Sequence, residues 1–167
     1  MPKLPKDVVA DPRHDEVARL LTTHLAPLWE GGRHRVPTVA LTPALADALR
    51  AASTARLACQ GLEHVTAKLA AEQKGLDMAR QKLASAPPSP RVSRLLLLAN
   101  DGSTRFYRDC DALLGRYPER LIACRLDVAG AALGTALLGV DKLVRCVLVS
   151  DKAYVARVLL ALVPAEP

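Results

Sequence analysis

The chain has 167 residues, which is long enough for one domain with a sizeable hydrophobic core. Half of the residues are hydrophobic but only 3% are aromatic, so the core must be built from Leu, Val and Ala packed through helices and strands. The net charge of +6 has the sign expected of a protein that meets phosphate groups, although such an excess also serves solubility.

The cysteine pattern argues against a metal centre or a disulfide framework. Four cysteines, at positions 59, 110, 124 and 146, lie far apart in apolar runs and form no CxxC pair, and the four histidines add no metal-ligand spacing. The sequence therefore predicts buried thiols in a reducing compartment and no metal or cofactor. No stretch approaches the ~20 uninterrupted apolar residues of a membrane span, so we expect a soluble, intracellular protein without a membrane partner, in the cytoplasm, the nucleus or a mitochondrion.

The first fifty residues predict helix, strand, helix. Apolar residues recur at helical spacing over residues 14–29, and glycines follow. Residues 35–41 have the β-branched content of a short strand, with Pro37 typical of an edge or a strand start. Thr42 and Pro43 then suit a helix start, because Thr caps free N–H groups and Pro fits the first helical position.

The middle of the chain predicts one continuous helix over residues 55–83. Its apolar residues follow a 3-4-3-4 spacing that forms a narrow seam, and at 1.5 Å per residue the helix would be about 45 Å long. Prolines end it in a linker at residues 84–91. We therefore predict a single domain from residues 1–53 and 90–167, with 54–89 as a helical insertion. Its seam contacts a partner protein or RNA, or else the helix breaks at Gly61 or Gly75 and folds back as a hairpin.

From residue 94 onward, strands and helices alternate three times. The nearly all-apolar segments "LLLLA", "LIACRL" and "VRCVLV" predict strands buried on both faces, and each is followed by apolar residues at helical spacing. The predicted fold is an α/β protein, a three-layer α/β/α sandwich with a central sheet of about four strands.

Three of these strands end in acids, Asp101, Asp127 and Asp151. In a parallel sheet all three carboxylates would meet at one edge and could hold Mg²⁺ for phosphoryl transfer. The simpler interpretation is that Asp127 and Asp151 cap the following helices and that Asp101 belongs to a turn. No Gly-rich phosphate loop or paired lysine accompanies the acids, so we favour a protein that is not an enzyme.

The segments "LLLLANDGS", "RLIACRLDVAGAALGTALLG" and "VRCVLVSDKAYVARVLLAL" resemble the later two thirds of the kink-turn RNA-binding superfamily. That superfamily includes ribosomal proteins and core proteins of small nucleolar and ribonuclease P particles. The resemblance covers residues 94–162 and rests on three short motifs in the same order: Ala99-Asn100-Asp101, Leu133-Gly134 and Ser150-Asp151.

The resemblance implies an α-β-α sandwich that binds structured RNA through a Gly-x-Asn-Glu-x-x-Lys turn and through a loop before the Leu-Gly pair. "KGLDMARQ" offers Lys74, Gly75 and Asp77 for that turn, but with Met78 and Gln81 in place of its Glu and Lys. Alternatively, "VALTPALADAL" is the matching strand and helix start, and Thr42 and Pro43 replace the motif. We favour this second alignment, because it places helix, strand and helix ahead of "LLLLA" as the family does.

Seven arginines surround the linker and the first strand-helix unit, at positions 91, 94, 105, 108, 116, 120 and 125. Arginine pairs with phosphate and stacks on bases, so a phosphate-contacting surface is one interpretation. The other is an ordinary solvated helix face, because acids are interspersed.

These observations predict a non-catalytic, RNA-binding or structural component of a ribonucleoprotein particle, of which the ribosome is one example. Its partners would be structured RNA and, through the long helix, neighbouring proteins. The alternatives are a protein-interaction scaffold and the Mg²⁺-dependent enzyme. The residues predicted to contact RNA are Lys74, Gly75, Asp77, Arg91, Arg94, Asn100, Arg105, Arg125, Leu126, Val128, Leu133 and Gly134.

Overall fold

A computed structural model of the chain describes residues 2–83 and 90–163. Within these ranges the fold is mixed α/β, with helices on both faces of a central sheet, and it confirms the predicted α/β sandwich. The described helices are α1 (Lys6–Val9), α2 (His14–Thr22), α3 (Pro43–Thr54), α4 (Leu62–Gln81), α5 (Thr104–Arg116), α6 (Gly130–Leu138) and α7 (Lys152–Ala161). The described strands are β1 (Ala26–Pro27), β2 (Arg35–Val36), β3 (Thr38–Val39), β4 (Ala58–Gln60), β5 (Arg94–Leu98), β6 (Leu121–Leu126) and β7 (Cys146–Val149).

The main sheet has the strand order β3-β6-β5-β7-β4, and β1 pairs with β2 in a separate small ribbon. Strands β3, β6 and β5 are parallel, whereas β7 runs antiparallel to both of its neighbours, β5 and β4. Strand β4 therefore runs in the same direction as β5. The direction of each strand decides at which end of the sheet the loop that follows it lies.

The four-leucine run of β5 is the centre of the core. Successive side chains of a strand point to opposite faces, and here Leu95 and Leu97 join the cluster beneath α3, α6 and α7. Leu96 and Leu98 join the second cluster, beneath α4 and α5. All four side chains are fully buried, which stabilises the fold by about 1.5–3 kcal/mol each.

The predicted continuous helix over residues 55–83 is wrong in its first part. Helix α3 extends to Thr54, and residues 58–60 form β4, an edge strand that pairs with β7. Left-handed backbone on each side of β4, at Arg56 (φ 61°) and Gly61 (φ 85°), turns the chain out of one helix and into the next. The sheet therefore gains a strand beyond the predicted four, because β7 offers Ala58–Gln60 a hydrogen-bonding partner that the local sequence does not reveal.

The front of the chain also differs from the predicted helix over residues 14–29. Helix α2 ends at Thr22, and extended backbone at Thr23 leads into the β1–β2 ribbon. Pro37 divides the predicted strand in two, since β2 belongs to the ribbon and β3 to the edge of the main sheet. Thr42 caps α3 as predicted, with its hydroxyl accepting from the Leu45 N–H at 3.2 Å.

Helix α4 is the long helix, and only its first half packs on the domain. Val65 and Leu69 are fully buried in the second core cluster, whereas Leu76 and Leu83 are 37% and 54% exposed. The segment 54–83 thus supplies an edge strand and part of the core as well as a projecting helix. The proline-rich linker predicted after it lies largely outside the described residues, and the division into domain and insertion stays a prediction. None of the helices within residues 2–83 and 90–163 is long and apolar enough to cross a membrane.

The two halves of α4 should respond differently to a charged substitution. Val65→Asp buries an unpaired carboxylate in the core, so we expect the free energy of unfolding to fall by about 3 kcal/mol or more. Leu76→Asp lies on the exposed half and should change it by no more than about 0.5 kcal/mol. Urea denaturation of the two variants measures both values, and equal losses would contradict the division of the helix.

Candidate nucleic-acid interface

One edge of the main sheet gathers the starts of four described helices. Strands β3, β4, β5 and β6 run in the same direction, and each is followed directly by a helix, α3, α4, α5 and α6 respectively. We call this side the carboxyl edge. A helix start carries free N–H groups and a partial positive charge, so the carboxyl edge is biased toward anions before any side chain is considered. It is also where ligands gather in open α/β sheets.

Side chains accept hydrogen bonds from the free N–H groups at some of these helix starts, and one helix start has no side-chain cap. Ser103 caps α5 by accepting from the Phe106 N–H at 3.1 Å. At α6 the cap comes from another loop, because Asp101 Oδ1 accepts from the Gly130 N–H at 2.9 Å. At α4 the N-cap residue is Gly61, which has no side chain to offer.

The segment between α6 and β7 lies on α6 and brings two cations to the carboxyl edge. A Cβ at Gly134 would lie 1.5 Å from the Lys142 carbonyl oxygen, so only glycine permits this close approach. The Val144 N–H donates to the Gly130 carbonyl at 3.0 Å and holds the same segment at the helix start. Strand β7 is antiparallel, so its amino end, preceded by exposed Lys142 and Arg145, meets the carboxyl ends of the other strands.

A concavity of about 160 Å³ lies between this segment and the start of α4. Its lining includes Gln60, Gly61, Lys142 and Arg145. Arg145 also approaches Asp101, with its Nε 3.4 Å from Oδ1, and both side chains remain more than one third exposed. The concavity therefore combines an uncapped helix start with two solvent-accessible cations.

The loop after β5 presents a polar side chain at the carboxyl edge. Asn100 is exposed, and its Nδ2 donates to Asp127 Oδ1 at 3.3 Å while its backbone N–H donates to the Val128 carbonyl at 2.8 Å. The Tyr107 hydroxyl donates to the Ala99 carbonyl and accepts from the Gly102 N–H, which fixes the loop from below. The carboxamide of Asn100 is thus held in a defined position, and its second N–H donor and its carbonyl oxygen are left for further hydrogen bonds.

The three strand-end acids do not meet. Asp101 and Asp127 lie at the carboxyl edge, but β7 is antiparallel, so Asp151 lies at the opposite edge. There it caps α7 as predicted, accepting from the N–H groups of Ala153 and Tyr154. The expectation that Asp127 caps α6 is wrong, because Asp101 makes that hydrogen bond.

The residues predicted to contact RNA are only partly brought together. Asn100 and Arg105 are exposed at the carboxyl edge, whereas Leu126 and Leu133 are fully buried in the core. The Leu133-Gly134 pair lies inside α6 instead of opening a helix, and Val128 is half-buried against the core. The loop after β6 can still contact RNA through its backbone, and the loop after β5 can do so through Asn100.

Lys74, Gly75 and Asp77 lie elsewhere, on the exposed second half of α4. At 1.5 Å per residue they are about 18 Å along the helix axis from its start at the carboxyl edge. The turn motif that they were predicted to supply is therefore a stretch of regular helix, separate from Asn100.

Several of the predicted phosphate-binding arginines are engaged inside the protein. Arg91 Nη1 donates to the Leu4 carbonyl at 3.0 Å. Arg125 donates to the Leu28 carbonyl at 2.7 Å, and its guanidinium lies 4.6 Å from the Tyr107 ring centre. The arginines therefore do not form one continuous surface, although Arg105, Arg108 and Arg116 on α5 are exposed.

Arg94 and Arg120 instead anchor α4 at the amino end of β5 and β6. Arg94 Nη2 lies 2.8 Å from Glu72 Oε2, and Arg120 Nη1 lies 3.6 Å from Glu72 Oε1. Burial opposes ionisation of Glu72, but the hydrogen bonds and charge of Arg94, together with the charge of Arg120, outweigh it and lower the pKa of this carboxyl. Burial lowers the pKa of Arg120, whose Nε and Nη2 have no partner among the described residues.

Three of the four cysteines are the buried thiols that the sequence predicted, whereas Cys59 in β4 is only half-buried. Burial raises the pKa of Cys110 and of Cys124 to about 12, and that of Cys146 well above its usual value. These thiols remain protonated at neutral pH, so they are poor nucleophiles and poor metal ligands.

Lys142, Arg145 and Gln60 were missed by the sequence reasoning. Lys142 and Arg145 precede a strand whose antiparallel direction has no local signature, and Gln60 lies in a segment that was read as helix. The glycine-bounded turn after α6, where Gly139 adopts φ 72°, was the available signal that a loop begins there.

Comparison with known proteins adds no family assignment. The chain matches no protein-family model, and no curated protein matches it.

The close packing of the α6–β7 segment can be tested with two glycine substitutions. Gly134→Ala must displace the backbone at Lys142, so we expect a loss of about 2 kcal/mol or more in unfolding free energy. Gly75→Ala is the control, because a Cβ there meets open space on a helix and should stabilise by up to about 1 kcal/mol. Thermal or urea denaturation checks both signs.

The Glu72 anchor should give the protein an identifiable acid sensitivity. The pKa of Glu72 is lower in the folded than in the unfolded state, so its contribution is present above pH ~4.5 and is lost as the pH falls through the folded-state pKa. Glu72→Gln should cost about 1–3 kcal/mol at pH 7, and the difference from wild type should shrink toward pH 3. Glu63→Gln, on an exposed position of the same helix, is the control, and a pH-independent difference at Glu72 would contradict the ionic role.

Proposed function

We propose that the protein is a non-catalytic RNA-binding component of a ribonucleoprotein particle and that RNA contacts the carboxyl edge of its main sheet. The observation that carries the proposal is the convergence of four described helix starts with exposed Lys142 and Arg145 at that edge.

Phosphate is the chemical group that this surface suits. Backbone N–H groups at helix starts and nearby cations together favour a phosphate oxygen, as in many nucleotide-binding proteins. The concavity at Gly61 is small, about 160 Å³, so it suits one phosphate of a backbone better than a whole nucleotide. The overall charge of +6 acts in the same direction by attracting a polyanion over longer distances.

Asn100 is the residue best placed to contact a base. Sequence-specific RNA recognition targets unstacked bases through hydrogen bonds to their edges, and a carboxamide supplies both donors and acceptors. Asp127 holds one donor of Asn100 and thereby limits its rotation. The resemblance to the kink-turn superfamily includes Asn100 through its Ala99-Asn100-Asp101 motif, although buried Leu126, Leu133 and Gly134 would act by supporting the surface and not by touching RNA.

The direct test is RNA binding at several salt concentrations. A fluorescently labelled RNA hairpin with an internal bulge should bind with an affinity that falls steeply as salt rises, because phosphate contacts release counterions. The double variant Lys142→Ala and Arg145→Ala should weaken binding at least about tenfold at low salt and reduce the salt slope by about one to two.

The matched control removes the same charge from the other side of the molecule. Lys152 and Arg157 are exposed on α7, which starts at the opposite edge of the sheet. The double variant Lys152→Ala and Arg157→Ala should change binding no more than about twofold through net charge alone. Equal losses in the two double variants, or binding that does not depend on salt, would refute the proposed interface.

A further inference from the structure

Helix α4 carries a leucine at every seventh position. Leu62, Leu69 and Leu76 repeat at this spacing within the helix, Leu83 continues the spacing two residues past the helix end, and Val65, Glu72 and Ala79 lie between them on the same face. This is the heptad pattern of a helix that packs along another helix over several turns. The repeat continues beyond the part of the helix that the domain itself covers.

Glu72 marks the boundary between the two uses of this face. Before it, Val65 and Leu69 are fully buried against the sheet. At Glu72, Arg94 and Arg120 bind the helix to the domain. After it, every residue from 74 to 83 is exposed, including Leu76, Ala79 and Leu83, which we call the distal seam.

The charges beside the seam decide what can cover it. In heptad terms the flanking positions are Lys68, Gly75 and Lys82 on one side and Gln73 and Arg80 on the other. Lys68 lies before Glu72 and Lys82 is the residue that caps the helix end, and every charged flanking residue from 68 to 83 is basic. In coiled coils these flanking positions select the partner through interhelical ion pairs. A second copy of this helix would bring like charges together, whereas a helix with acidic flanks would pair with them.

We infer that the distal seam of α4 docks an amphipathic helix of another protein, with a leucine-type apolar face and acidic flanks. This surface is distinct from the carboxyl edge, and its leucines have no role in phosphate binding. Exposed apolar side chains between basic flanking positions are better explained by a protein partner than by RNA, which would need only the cations.

Substitution of Gly75 tests whether the distal seam must be helical to bind its partner. A Cβ at this position meets open space, and glycine in an exposed helix interior costs about 1 kcal/mol relative to alanine. Few contacts with the domain therefore stabilise the helical form of the distal seam, and ordering it on binding costs part of the binding free energy. Gly75→Ala should tighten binding severalfold, whereas Gly75→Pro, which breaks the helix before the distal seam, should abolish it while the domain remains folded.

The probe is a designed helical peptide of about three heptads, with Leu at the core positions and Glu at the flanking positions. Its control has the same leucines and Lys at the flanks. Fluorescence anisotropy with the full chain should show the acidic peptide binding at least about tenfold more tightly than the lysine peptide.

Variants of the protein distinguish binding at the distal seam from nonspecific hydrophobic binding. Leu76→Asn with Leu83→Asn should weaken binding of the acidic peptide at least about tenfold. Val9→Asn is the control, because this side chain is also exposed, at 47%, but lies at the end of α1, which packs on the opposite face of the sheet from α4. RNA binding should be unchanged in both the leucine variant and the control, so failure here is distinguishable from failure of the RNA proposal.

Three results would overturn the inference. Equal binding of the acidic and the lysine peptide would show that the flanking charges select nothing. Light scattering that shows a dimer, lost on Leu76→Asn, would assign the seam to a second copy. Loss of RNA binding in the leucine variant, with peptide binding intact, would assign the seam to RNA.

Discussion

The structure depends on the burial of β5 on both of its faces. Leu95 and Leu97 pack on one side and Leu96 and Leu98 on the other, so both helix layers are held to the same strand. The two strands that neighbour β5 differ in direction. Strand β6 continues the parallel part of the sheet, and β7 reverses direction beside it.

That reversal shapes the candidate interface. If β7 ran parallel, Asp151 would share the edge with Asp101 and Asp127, and the edge would be acidic. Because β7 is antiparallel, the acid lies at the far edge and the residues before the strand, Lys142 and Arg145, come to the carboxyl edge instead. The direction of one strand thus removes Asp151 from the place where four described helices begin and brings Lys142 and Arg145 there, together with Asp141. The absence of side chains at Gly134 and Gly130 lets the segment that carries these cations lie directly on α6.

Helix α4 combines support of the domain with an open surface. Its first half completes the core over β5 and β7, and the ion pairs at Glu72 end the docked part. Beyond Glu72 the same leucine repeat continues without cover in the described domain. The surface proposed for RNA at the start of the helix and the one inferred for a protein at its end would together allow the chain to join two kinds of component.

The sequence by itself determined the α/β class, the central strands and most of the helix starts. These features are local, because a run such as "LLLLA" favours burial on both faces and a Thr-Pro pair favours a helix start. It also indicated the inert thiols and the leucine seam. Only the tertiary structure decided the direction of β7, the recruitment of Ala58–Gln60 into the sheet and the partners of the arginines. Strand pairing and ion pairs such as Glu72 with Arg94 join residues that are distant in the chain, and neither composition nor periodicity records which distant residues meet.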